Sequence, residues 1–287
     1  MRLVQIPVAD RPECPVALQY AFKIASRHGA DVRGFHLRTH RTDTTRMRFG
    51  QGTQPGWSGN IQWSKSEKES ERMSRSASDL FEEMANKADI LLKKKPSPDL
   101  SPVALWQDRV GTPDHVLPIV GPTADLMVVS RPARNGGRKT TAFMMQALLN
   151  SQRPVLIVPD KPPKEVGAHI LVAWNSSRES ARLVHAILPT LKAADRVTFL
   201  TVGKASGSGP NVNEILHFLA HHGIKAKKLG VKTGSPEVEI RRVMQEVGAD
   251  LLAMGAYSRN RFAETLFGGV TQYMLFQSDK PVLMLHS

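Results

Sequence analysis

Along the second half of the chain, short apolar runs of four to eight residues alternate with stretches whose apolar positions recur every three to four residues. The runs predict strands at Ile170 to Trp174, Val197 to Val202, Lys225 to Val231, Leu251 to Gly255 and Val282 to Leu285. The stretches between them predict helices at Ser180 to Leu191, Asn211 to His222, Pro236 to Val247 and Val270 to Gln277. Strands alternating with helices build βαβ units, and these lie parallel because each helix returns the chain to the same starting edge. Five such strands with helices on both faces form a doubly wound, Rossmann-like α/β sheet, whose ligands sit beyond the carboxyl ends of the strands. The loops after Trp174, Val202 and Met254 are therefore the expected binding loops.

The first half repeats this plan. Gly111-Thr112-Pro113-Asp114 stands 123 residues before Gly234-Ser235-Pro236-Glu237, and Ala124-Asp125-Leu126 stands 125 before Ala249-Asp250-Leu251. Arg153-Pro154-Val155-Leu156 stands 127 before Lys280-Pro281-Val282-Leu283. A repeat of this length means two tandem copies of one domain. We place them at 1–160 and 167–287. Upstream, Ala30-Asp31-Val32 matches Ala194-Asp195-Arg196 at a separation of 164, so the first copy carries an insertion of about 40 residues. Composition puts the insertion at about 39–78, where Gly, Ser, Thr, Arg and Gln replace the apolar periodicity. The glycines and proline between Phe49 and Gly59 favour loop over strand, and a helix is expected from about Ser66 to Lys94.

Composition narrows the function. A chain of 287 residues that is 41% hydrophobic and 23% charged is globular, with no apolar run near the roughly 18 residues of a membrane span. The N-terminus enters a strand-like segment without a secretory leader, so the cytoplasm is the expected compartment. The single cysteine, Cys14, has no partner for a disulfide or a Cys-x-x-Cys site and reads as an ordinary small side chain near a helix start. A net charge of +13 raises the question of nucleic acid. The basic residues are scattered, however, and aromatics reach only 6%, which disfavours a stacking platform.

Chemistry concentrates after the fourth strand of the second copy. Gly255 is followed by two residues, then Ser258 and Arg259, and nine residues separate Ser258 from Gly268. Gly269, Val270 and Thr271 then open the next helix, where free N–H groups and the helix dipole favour a phosphate. This loop resembles that of the universal stress protein family, whose ATP-binding members carry Gly, two residues, Gly, nine residues, Gly, then Ser or Thr. Ser258 and Gly269 depart from that pattern, while the spacing and the hydroxyl of Thr271 match it. Ala173-Trp174-Asn175 ends the first strand where the family usually has an aspartate, and Val202 matches the apolar position near adenine. In the first copy Thr141, Ala142 and Met144 align with Gly268, Gly269 and Thr271, so its phosphate loop is degenerate.

The resemblance implies a stress-response protein that binds ATP, with magnesium, through Ala173, Trp174, Asn175, Val202, Gly255, Ser258, Arg259, Gly268, Gly269, Val270 and Thr271. It also implies that the copies join as an intramolecular pseudo-dimer through their last strands, 155–158 and 282–285, with homodimers of the whole chain a further option. The alternative is a scaffold of the same fold that binds no nucleotide. No catalysis is expected, because no nucleophile, base and orienting residue share a readable spacing. Other motifs fail in detail. Arg138 separates Gly137 from Lys139 in a P-loop-like stretch, Asn60 occupies the last glycine of a would-be nucleophile elbow, and Phe218 stands where a His217–His221 zinc protease needs Glu.

Overall fold

The computed structural model describes residues 1–39, 44–48, 58–62, 67–99, 101–132, 137–203, 208–256 and 269–286, with 44–48 and 58–62 as backbone only. The chain divides into two compact units, Met1–Pro163 and Lys164–Ser287.

In the first unit β1 (Leu3–Pro7), α1 (Cys14–His28) and β2 (Asp31–Arg38) are followed by a hairpin of β3 (Thr44–Arg48) and β4 (Ser58–Gln62). Then come α2 (Glu67–Lys87), β5 (Leu92–Lys93), β6 (Ala104–Val110), α3 (Pro113–Val120), β7 (Leu126–Ser130), α4 (Arg138–Asn150) and β8 (Val155–Val158). The sheet runs β8-β7-β1-β2-β6-β5 with parallel pairs throughout. The second unit contains β9 (His169–Ala173), α5 (Arg178–Ala186), α6 (Leu188–Ala193), β10 (Arg196–Val202), α7 (Val212–His221), β11 (Ala226–Val231), α8 (Pro236–Val247), β12 (Leu251–Ala256), α9 (Gly269–Phe276) and β13 (Val282–His286). Its order is β11-β10-β9-β12-β13, again parallel. In each unit the first strand lies between the second and the fourth of the shared plan, so strand order reverses there. That switch point opens a crevice at the carboxyl edge.

The repeated residues do the same work in both units. Gly111 and Gly234 leave their strands at φ +131° and +136°, which a side chain rarely tolerates, and each hands on to a Pro at the first turn of a helix. Asp125 Oδ2 accepts from the N–H groups of Arg2 (2.6 Å) and Leu3 (3.0 Å). Asp250 accepts from Gly167 (2.5 Å), Ala168 (3.1 Å) and His169 (2.9 Å). One carboxylate thus latches the start of the first strand to the start of the fourth. In the second unit His169 adds a tie of its own. Its Nδ1 donates to Val247 O at 3.0 Å and its Nε2 lies 2.9 Å from Thr198 Oγ1.

Three expectations are corrected. The inserted stretch is not loop throughout, because Thr44–Arg48 pairs antiparallel with Ser58–Gln62; the glycine-rich residues 49–57 between them lie outside the described residues. The long helix ends at Lys87 rather than Lys94. Asp89 turns left-handed (φ +56°) and Ile90 N returns to Ala85 O at 3.0 Å, which satisfies a terminal carbonyl and stops the helix. The helix expected over Ser180 to Leu191 is two, α5 and α6. Pro189 has no N–H to give His185 O, so the chain breaks at Ile187 and restarts.

Candidate functional site

In the second unit β9, β10 and β12 run in register, with Ala173 opposite both Leu200 and Met254. Their carboxyl ends bring Ala173, Trp174, Asn175, Val202 and Gly255 to one edge of the sheet. Trp174 is buried, its N–H donates to Leu200 O at 2.8 Å, and its ring meets Phe199 at 5.8 Å between centroids. Its indole Nε1–H is buried and has no hydrogen-bond partner among the described residues, a state that few buried donors hold. Asn175 Oδ1 accepts from Ser177 N at 3.1 Å, and Ser176 turns left-handed at φ +57°. Ser177 Oγ then caps α5 by accepting from Ser180 N at 3.1 Å. Asn175 therefore shapes a turn, and its oxygen is already engaged. Val202 is half-buried at the end of β10. Gly209 donates its N–H to Ser176 O at 2.7 Å and so ties the start of the approach to α7 to this turn.

Gly255 has a structural duty. A Cβ there would stand 2.8 Å from both Glu179 C and Ser180 N, so the missing side chain lets β12 press against the first turn of α5. Ser258, Arg259 and Gly268 lie outside the described residues. Gly269 is the exposed first residue of α9, Val270 is half-buried and Thr271 is buried. Among the described residues a Cβ on Gly269 would meet nothing within 4 Å, which leaves room for an approaching group.

The first unit differs at the matching place. Thr141, Ala142 and Met144 sit inside α4, which already begins at Arg138, and Ala142 and Met144 are buried. Their backbone N–H groups belong to the helix. In exchange, a cavity of about 180 Å³ lies at the carboxyl ends of β1, β2 and β7, with α2 and α4 on its flanks. Val8, Phe35, Met73, Val129, Phe143 and Met144 form its apolar wall. Sequence reasoning missed this site. The rule that places ligands beyond strand ends applies to both copies, and Cys14, just after β1, was a marker of it. Cys14 is buried, and burial pushes its thiol up to about 11, so it stays protonated.

These are two doubly wound, parallel α/β units of the Rossmann-like class. Residues 211–286 match the universal stress protein family model. Over 63 residues the chain is 33% identical to a universal stress protein of Methanocaldococcus jannaschii, a match that covers 22% of this chain and 38% of that relative's length. The whole chain has the fold of a universal stress protein from Archaeoglobus fulgidus, with a TM-score of 0.70 at 15% identity, covering 99% of this chain and 98% of that one. A putative universal stress protein from Pseudomonas aeruginosa shares the fold at a TM-score of 0.57 and 14% identity, covering 100% and 93%. The family match thus lies within the second unit, and the chain as a whole takes the fold of solved universal stress proteins. The matched stretch contains Gly255 and Gly269–Thr271 but not the β9 loop or Val202.

Proposed function

We propose that the chain is a stress-response binding protein whose second unit holds an adenine nucleotide, ATP with magnesium, beyond the carboxyl ends of β9, β10 and β12. The observation that carries this reading is the spacing from Gly255 through Ser258 and Gly268 to Thr271 on the connection that enters α9 at the switch point. The described residues fit a phosphate, since Gly269 is exposed at a helix start with open space beside it. They offer no dedicated metal cage. Asn175 is spent on its turn, and no group of three His, Cys, Asp or Glu gathers among the described residues, so magnesium would arrive on the phosphates. In this reading the protein binds and does not catalyse.

Titration calorimetry of nucleotide-stripped protein with ATP, ADP and AMP, with and without magnesium, tests the reading. One saturable site per chain is expected, and Gly269→Glu should weaken it at least about tenfold by like-charge repulsion at unchanged melting temperature. Full affinity in that variant would remove the loop from the site. A scaffold without nucleotide is the second reading, favoured by the locked Asn175 turn and by Gly209 seated on Ser176. Absence of heat and of thermal stabilisation by every nucleotide selects it. From the family resemblance we also propose that the units join through their last strands, 155–158 and 282–285, which paired cysteines and oxidative cross-linking would read. No helix among the described residues is long and apolar enough to cross a membrane.

A further inference from the structure

The cavity of the first unit has an apolar interior and a charged mouth, and the polar atoms between them are already engaged. Cys14 Sγ accepts from Ala9 N at 3.4 Å, and His36 Nδ1 donates to Val8 O at 2.8 Å. At the mouth stand Arg11, Glu13, Lys139 and Thr140, two cations against one carboxylate. Thr140 Oγ1 accepts from Arg11 Nη1 at 2.6 Å and donates to Glu13 Oε1 at 3.0 Å. Glu13 Oε1 is 4.0 Å from the same Nη1. These contacts hold one edge of the Arg11 guanidinium, and its Nη2 and Nε find no partner among the described residues. A guanidinium fixed this way presents a planar pair of donors, the geometry that receives a carboxylate in two parallel hydrogen bonds.

We propose that this cavity binds small carboxylates with an apolar body, the carboxylate on the free edge of Arg11 and the hydrocarbon between Phe35, Val129 and Met144. The positions that align with the second unit's phosphate loop do not offer a polyphosphate the same cradle: they are interior to α4, where Thr141 N is already bonded to Gly137 O at 3.4 Å and Met144 forms part of the apolar wall. The cavity is formed by the first unit alone and does not depend on nucleotide binding in the second.

The test titrates the full chain with decanoate, decanol and decyltrimethylammonium, each below its micelle concentration. One decanoate per chain is expected, with the ammonium at least about tenfold weaker because its charge meets Arg11 and Lys139. Arg11→Gln, at a half-exposed position, should weaken decanoate about tenfold while the melting temperature holds. Met144→Trp should abolish binding by filling the space. ATP titrated into decanoate-saturated protein should behave as it does with the free chain, so that loss of ATP binding and loss of decanoate binding are read separately. No saturation by decanoate, equal affinity for all three probes, unchanged affinity in Arg11→Gln, or competitive displacement by ATP would each overturn the proposal.

Discussion

The two units share one topology and one set of latches, yet they part company in the segment after the strand that follows the Ala-Asp-Leu landmark. In the second unit the described residues resume at Gly269, which is exposed in α9, with open space around it among the described residues. In the first, the positions that align with Gly268, Gly269 and Thr271 lie inside α4, which begins at Arg138. Residues inside a helix spend their backbone donors on internal hydrogen bonds, and α4 brings side chains such as Phe143 and Met144 over the strand ends. The same architecture thereby exchanges a polar surface for an apolar hollow.

The strongest way to break the comparison is at Gly255. Gly255→Ala puts a Cβ against the backbone of Glu179 and Ser180, which cannot rotate away. A loss of about 2–3 kcal/mol in urea unfolding of the second unit is expected, while the first unit's transition stays in place. Next come the latches. Asp250→Ala strands three N–H groups, partly buried, and should cost about 2–3 kcal/mol; Asp125→Ala strands two exposed ones and should cost about 1 kcal/mol. Equal losses would show that the number and burial of the stranded N–H groups do not set the cost.

Acid should then weaken both units in the same direction. Burial, with the N-terminal amine and Arg27 adding to it, lowers His28 to about 4, and burial lowers His169 from its ordinary value. Each folded form binds its proton less readily than the unfolded chain, so stability is full above about pH 6.5 and falls as pH drops from there toward 4. Melting temperatures measured at pH 7 and pH 4.5 should show the drop, and His28→Asn should shrink it for the first unit alone. The smallest effect is expected at Gly269→Ser. The site has room for the side chain, so stability should move by less than about 0.5 kcal/mol. Any nucleotide affinity should rise a few-fold, through the hydroxyl that the family pattern places there.

Much of this fold was legible because its landmarks are residues with a backbone duty. The two glycines before proline, the paired aspartates and the prolines before the last strands survive in both copies, and their separations exposed the tandem plan. The strands of the second unit could be read to within a residue or two at their ends; β9, β12 and β13 are apolar nearly throughout because they are buried on both faces, while the edge strand β11 carries exposed Lys227 and Lys228. The β3–β4 hairpin could not. Its strands are polar, and the glycines beside it spoke for loop. The cavity of the first unit was hidden for another reason. Val8, just past β1, and Phe35, Met73, Val129 and Met144, from four separate elements, are brought around one space only by three-dimensional packing. At the second unit's edge, spacing pointed to Gly255 as a ligand glycine, whereas its close approach to α5 can be seen only in the fold.

The aspartate latches also set the order in which the chain can be completed. Leu3 and Asp125 are 122 residues apart, while His169 and Asp250 are 81 apart. By loop-closure entropy the longer span of the first unit costs only about 0.4 kcal/mol more, so a 40-residue excursion is nearly neutral at equilibrium. Its weight falls on timing. On the ribosome the first strand can pair with β2 early, but its other edge must wait, unsatisfied, until Asp125 and β7 have left the exit tunnel. The nascent first unit therefore spends longer than the second as a half-built sheet, and that interval is when a chaperone would find it.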